Sequence, residues 1–231
     1  MTIPFRIKIC GITRVEDAIA AAEAGADAIG LNFYARSPRS VEVSQAQRIA
    51  AALRDDAGKF AGVARVGVFV NMSSDSIRKI AECVPLDWIQ LHGDEPAEMV
   101  GELRPFPIIR AFRCDASNVE SALKWLEEAK KLGSLPNAIL IDAWKPGEFG
   151  GTGKVVDAAV VATINQRWPQ LPLVVAGGLK PQNVAEGIQG TSPVGVDTAS
   201  GVEASAGIKD AELVRQFVRN AIQGFAAIGR L

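Results

Sequence analysis

A parallel α/β chain closed into a (β/α)8 TIM barrel, with outer helices around parallel strands, is the fold this sequence predicts, on three observations. Short runs rich in β-branched residues alternate with amphipathic stretches of helical period along the chain. Eight such pairs share 231 residues, about 29 residues apiece, close to the size of a βα unit. The alternative, a doubly wound open sheet, would usually carry a GxGxxG fingerprint after its first strand, where Gly11-Ile12-Thr13 stands instead.

The strands are expected at residues 5–10, 28–33, 64–70, 88–91, 108–112, 138–141, 173–176 and 195–197. The helices are expected at 15–24, 46–54, 74–83, 96–103, 117–132, 154–167, 181–188 and 209–225. In the first unit, Phe5-Arg6-Ile7-Lys8-Ile9-Cys10 is a strand-forming run stopped by Gly11. Thr13 is the expected N-cap of the helix that follows, with Glu16 as its capping-box partner, and Gly25 suits the left-handed position past its end. Later units repeat the order of apolar run, polar or glycine-rich loop and amphipathic helix. Strict alternation of this kind implies right-handed crossovers. No linker, low-complexity tract or composition break divides the chain, so one catalytic domain is expected over residues 1–231.

Composition narrows the function classes. Hydrophobic residues make up 48% of the chain and the net charge is −1. That balance supplies a large core and no broad attraction to nucleic acid or an anionic membrane. Cys10, Cys83 and Cys114 are widely spaced and form neither a CxxC pair nor a disulfide framework, which suggests reduced thiols in a cytoplasmic setting. The first strand begins within five residues, so no signal peptide is expected. No apolar run approaches the roughly 18 residues of a membrane span.

Barrel active sites sit where the strands end. Cys10 ends the first strand, and Lys8 shares its face by strand alternation. A nearby ammonium would lower the thiol pKa; alternatively, Lys8 only neutralises Asp197 inside the barrel. The second strand leads to Arg36 and Arg39, either of which can fork onto a substrate carboxylate. Gln90 and His92 follow from the fourth strand, and Arg110 and Arg113 from the fifth. His92 is the only histidine, and a structural role is its commoner reading. Asp142 ends the sixth strand; buried among apolar neighbours it would have a raised pKa and could act as a general acid. Asp197 is a second acid/base or an anchor for a sugar hydroxyl. Gly177-Gly178 after strand seven and Ser200-Gly201 after strand eight occupy the two loops that commonly cradle phosphate in barrels. The stretch 147–154 resembles a P-loop but breaks the pattern at Glu148 and Val155. It reads as a lid with glycine hinges, and Gly151 within it is placed among the substrate-binding residues. No His/Cys/Asp cluster has metal-ligand spacing, so no metal is expected.

Taken together, these residues resemble the phosphoribosylanthranilate isomerase family of tryptophan biosynthesis. The matching segments are Lys8-Ile9-Cys10-Gly11-Ile12-Thr13, residues 30–41 with Ser37-Pro38-Arg39, Val66-Gly67-Val68-Phe69-Val70-Asn71 and Gln90-Leu91-His92-Gly93. They continue with Leu140-Ile141-Asp142, Gly150-Gly151-Thr152-Gly153, Ala176-Gly177-Gly178-Leu179, Val196-Asp197 and Ser200-Gly201-Val202-Glu203, collinear from residue 6 to about 210. The resemblance implies a barrel without metal or organic cofactor. It implies an Amadori rearrangement of a small phosphorylated substrate, with Cys10 as general base and Asp142 as general acid. Arg39 then takes the anthranilate carboxylate, the loops at Gly177-Gly178 and Ser200-Gly201 take the phosphate, and Asp197 holds a ribose hydroxyl. The chain departs from the family pattern at Val155-Val156-Asp157-Ala158, at Ala199 in place of a serine, and at Asn32 in place of an apolar residue. The competing readings are the histidine-pathway Amadori isomerase, whose paired aspartates would fall at Cys10 and Arg110, indole-glycerol-phosphate synthase, and a non-catalytic sugar-phosphate-binding barrel. Either a monomer or a homodimer is compatible with the sequence.

Overall fold

Eight strands, β1 (Ile7–Ile9), β2 (Ala28–Asn32), β3 (Ala64–Phe69), β4 (Trp88–Leu91), β5 (Ile108–Cys114), β6 (Ala138–Ala143), β7 (Leu173–Ala176) and β8 (Gly195–Thr198), pair in sequence order into a closed parallel barrel. The structure is a computed structural model that describes residues 5–54, 58–143 and 157–230. Closure is made by β1 against β8, with Lys8 opposite Asp197 and Ile9 opposite Thr198. The helices are α1 (Val15–Ala24), α2 (Val43–Ala52), α3 (Ser74–Cys83), α4 (Glu98–Glu102), α5 (Val119–Lys131), α6 (Ala158–Arg167), α7 (Val184–Thr191) and α8 (Ala211–Ala227). No helix among the described residues is long and apolar enough to cross a membrane.

Strand alternation separates two cores. Ile7, Ile9, Ile29, Leu31, Ile89, Leu91, Ile139 and Ile141 face the helices and are fully or almost fully buried. Strand residues of the opposite parity, including Ala28, Val66, Trp88, Ile109, Leu140 and Val174, form a second core inside the barrel. The same alternation puts Lys8, Cys10, Gln90, His92, Asp142 and Asp197 on the inward-facing parity, towards the C-terminal rim.

The opposite rim is closed by a repeated device. Asp27, immediately before β2, accepts the Ile7 N–H at 2.9 Å. Asp87, before β4, accepts the Arg65 N–H at 2.8 Å, and Asn137, before β6, accepts the Ile108 N–H at 2.9 Å. Each side chain satisfies a strand-start donor that ladder pairing leaves open.

Local expectations meet three corrections. Gly25 closes α1 with φ 95° as expected. Thr13 does not cap it: the N-cap is Arg14, which pairs with Asp17 at 2.6 Å, while the Thr13 hydroxyl donates to the Gly207 carbonyl at 2.5 Å. The last helix starts at Ala211, capped by the Asp210 carboxylate, because residues 203–209 fold into a hairpin, β9 (Glu203–Ser205) and β10 (Ile208–Lys209). The helix expected at 96–103 is only the five residues of α4. The capped α8 packs against α7 and α1 and buries Phe217 completely. Phe217→Ala should lower unfolding free energy by about 3–5 kcal/mol, read as a reduced denaturant midpoint at unchanged slope.

Candidate active site

Lys8 reaches the barrel interior without any solvent exposure, and its Nζ lies 2.9 Å from Asp197 Oδ1. Burial works against the ammonium, but Asp197 and then Cys10 more than offset it, so the Lys8 pKa is held above its ordinary value.

Cys10 follows at the strand end, its N–H bonded to the Thr198 carbonyl at 2.7 Å. Gly30 on β2 makes room for the thiol, since a Cβ there would stand 2.7 Å from Sγ. The expectation that Lys8 lowers the thiol pKa is half met. Lys8 and Lys209 do favour thiolate, yet burial outweighs them and the net shift is upward. Lys8 neutralises Asp197 and opposes the effect of burial on Cys10 only in part.

Asp142 is the penultimate residue of β6, on the same rim, but its surroundings differ from the expected apolar pocket. Its side chain is 29% exposed, and its Oδ2 lies 3.3 Å from His92 Nε2. His92 Nδ1 in turn meets Gln90 Nε2 at 2.9 Å. The Gln90 contact holds the ring so that Nε2 faces Asp142. His92 therefore touches the proposed acid, a contact that strand parity foreshadowed but composition did not.

Arg39 is half-buried and Arg36 is exposed. Arg39 is carried by a loop that Asn32 braces: its Oδ1 accepts the Tyr34 N–H at 2.9 Å and its Nδ2 donates to Ser37 Oγ at 3.1 Å. This explains the polar residue at position 32. The Arg39 fork is already occupied on one side, with Nε and Nη2 each 2.7 Å from the Glu203 carboxylate. Glu203 and Lys209 were given no role from sequence; the available signal was a Glu and a Lys flanking the Ala206-Gly207 turn.

The two glycine loops meet as expected. Gly177 and Gly178 have φ of 85° and 63°, and a Cβ at Gly177 would stand 2.6 Å from Asp142 Oδ1. Asn183 braces this loop, accepting the Lys180 N–H at 2.8 Å and donating to the Gly178 carbonyl at 3.0 Å. The other loop is the 3-10 turn Ser200–Val202. Thr198 Oγ1 donates to the Leu179 carbonyl at 2.7 Å, and that carbonyl lies directly against Gly201. The expected lid at 147–154, with Gly151, lies outside the described residues.

Arg110 and Arg113 do not join the site. Arg110 points into the helix layer, bonded to Glu95 at 2.7 Å and stacked over Phe112 and Trp125. Arg113 is exposed. Among the described residues, no three His, Cys, Asp or Glu side chains gather as a metal site.

A barrel that collects a thiol, a carboxylate, an arginine fork and two glycine loops on its C-terminal rim defines the class of sugar-phosphate barrel enzymes. Known proteins narrow that class. The family model described as N-(5'phosphoribosyl)anthranilate (PRA) isomerase matches residues 7–220. The N-(5'-phosphoribosyl)anthranilate isomerase of Pseudomonas aeruginosa (strain LESB58) is 46% identical over 216 residues, 92% of this chain and 93% of that protein. The crystal structure of phosphoribosyl anthranilate isomerase from Thermotoga maritima matches with a TM-score of 0.82 at 38% identity, over 95% of this chain and 99% of that one. A phosphoribosyl anthranilate isomerase solved in complex with reduced 1-(o-carboxyphenylamino)-1-deoxyribulose 5-phosphate matches with a TM-score of 0.76 at 34% identity, with the same coverage. The chain belongs to the phosphoribosylanthranilate isomerase family.

The raised Cys10 pKa has a measurable sign: the group rests as a thiol, and thiolate grows as pH rises past the ordinary cysteine range. In a Cys83→Ala background, iodoacetamide should modify Cys10 slowly near neutrality and steadily faster through about pH 9 and above. Peptide mass spectrometry gives the site and the rate. A rate that levels off below about pH 8 would show that the two lysines, and not burial, dominate.

Proposed function

We propose that this chain catalyses the Amadori rearrangement of N-(5-phosphoribosyl)anthranilate to 1-(2-carboxyphenylamino)-1-deoxyribulose 5-phosphate in tryptophan biosynthesis. The observation that carries the reading is the placement of Cys10, just past β1, and Asp142, on β6, at one rim that also holds an arginine fork and a two-loop glycine cradle.

Asp142 protonates the ribose ring oxygen, and the ring opens to a Schiff base. The iminium acidifies the C2' hydrogen. Cys10 rests as a thiol, so it is the fraction that has lost its proton to solvent, the thiolate, that removes the C2' proton, and the resulting enolamine relaxes to the ketone. Carbon oxidation states exchange within the substrate, so proton transfers alone balance the reaction. His92, 3.3 Å from Asp142, holds the acid in place. Gly177-Gly178 and Ser200-Gly201 take the phosphate and Arg39 takes the anthranilate carboxylate, which fixes both ends so that the reacting carbon lies between acid and base. Asp197, tied to Lys8, accepts from a ribose hydroxyl. At Ala199 backbone amides serve where a serine would add a side-chain contact. Gly151 belongs to the same substrate set by motif match. The protein works in the cytoplasm on this small substrate, as a monomer or homodimer, without nucleic acid.

The histidine-pathway reading is disfavoured because Arg110 replaces its second aspartate and points out of the barrel. The direct test follows loss of anthranilate-type fluorescence when purified protein meets freshly made phosphoribosylanthranilate. Wild type should consume it rapidly, whereas Cys10→Ala and Asp142→Asn should each lose roughly a hundredfold to ten-thousandfold in kcat. Product binding without turnover in the wild type would favour the non-catalytic barrel. Arg39→Ala should raise KM about tenfold or more with a smaller effect on kcat, because it removes a charge-assisted binding contact and neither proton-transfer group.

A further inference from the structure

We propose that Glu203 is a positioning residue for substrate-carboxylate recognition: presented by the β9–β10 hairpin, it locks the Arg39 guanidinium so that only the Nη1–Nη2 end stays available to a second carboxylate. The proposal rests on the reading of Arg39 as the carboxylate clamp.

Geometry carries it. Glu203 takes the Nε and Nη2 donors at 2.7 Å each, which is the side-on mode of the planar fork. The Glu203 side chain is 5% exposed, and Lys209, opposite it in the hairpin, donates to Oε1 at 2.9 Å from a side chain with no exposure. The Gly207 N–H adds a contact at 3.3 Å. A carboxylate held by an arginine, a lysine and a backbone amide has little freedom to follow Arg39 elsewhere. The Arg39 stem is pinned as well, since a Cβ at Gly11 would stand 2.6 Å from Arg39 Cδ. The clamp therefore lies against the residue that follows Cys10.

Charge points the same way. Arg39 and Lys209 bring two positive charges and Glu203 one negative, leaving one positive charge for an incoming carboxylate. An ion cluster this buried is weak evidence for stability as such, which leaves orientation as its better explanation. Lys209 also donates to the Ala199 carbonyl at 3.0 Å, immediately before the Ser200-Gly201 turn. The hairpin thus braces the carboxylate clamp and the proposed phosphate loop from one side.

The test compares two substrates, phosphoribosylanthranilate and the phosphoribosyl amine of aniline, which lacks only the carboxylate. Wild type, Arg39→Ala and Glu203→Gln are assayed on both. Glu203→Gln should reduce the preference for the carboxylated substrate in kcat/KM by about tenfold, through KM, while kcat on the aniline compound changes little. Equal loss on both substrates would mean a structural role only and would overturn the proposal. If Glu203→Gln does not fold, Glu203→Asp, one methylene shorter, should show the same selective loss, and an unchanged preference there overturns the proposal too. Arg39→Ala separates the two levels. If it abolishes the preference while Glu203→Gln keeps it, the clamp stands and the positioning fails; if it keeps the preference, the clamp reading itself fails.

Discussion

The buried pair of Lys8 and Asp197 is the constraint around which the rest of this molecule is arranged. It sits at the β1–β8 seam, the one contact that turns a row of eight strands into a closed barrel. A fully buried ammonium must have a partner, and loss of one member of such a pair costs about 3–5 kcal/mol because the other charge is stranded. Asp197 answers at 2.9 Å, which makes any slip of β1 against β8 expensive. Register at the seam in turn decides where Cys10 stands, two residues further along the same face. The pair that closes the barrel therefore also sets the electrostatics of the candidate base.

The helix layer orients the opposite wall. Arg110 faces outward, donates to the Leu91 and Gly93 carbonyls, and pairs with Glu95. Glu95 also accepts the Asn71 and Gly93 N–H groups, and Trp125 Nε1 donates to its carbonyl at 2.9 Å. This outer network grips the segment that follows β4 on both sides of His92. The backbone that carries the imidazole is thus placed by residues that never enter the barrel, and the inward Gln90 orients its ring. On the other side, the β9–β10 hairpin does the same for Arg39. Inward side chains of the rim are therefore braced from outside the barrel as well as by one another.

Much of this was legible in the chain. The eight strands, their order and the parity that turns Cys10, His92, Asp142 and Asp197 inward follow from a period of two and from alternation with helical stretches, both local properties. The glycine loops at Gly177-Gly178 and Ser200-Gly201 announced themselves because close backbone approach leaves few alternatives to glycine. The family followed from collinear motifs. What the sequence by itself determined is thus the barrel, its inward-facing chemistry and the family. Tertiary structure alone decided that Thr13 bonds Gly207 instead of capping α1, that Arg39 and not Arg36 is held at the site, that Asp142 meets His92 in a half-open setting, and that burial outweighs Lys8 at Cys10. These outcomes rest on groups up to 194 residues apart in the chain, as with Thr13 and Gly207. Hydrogen bonds and charge balance at such separations depend on distances and burial that no local pattern encodes.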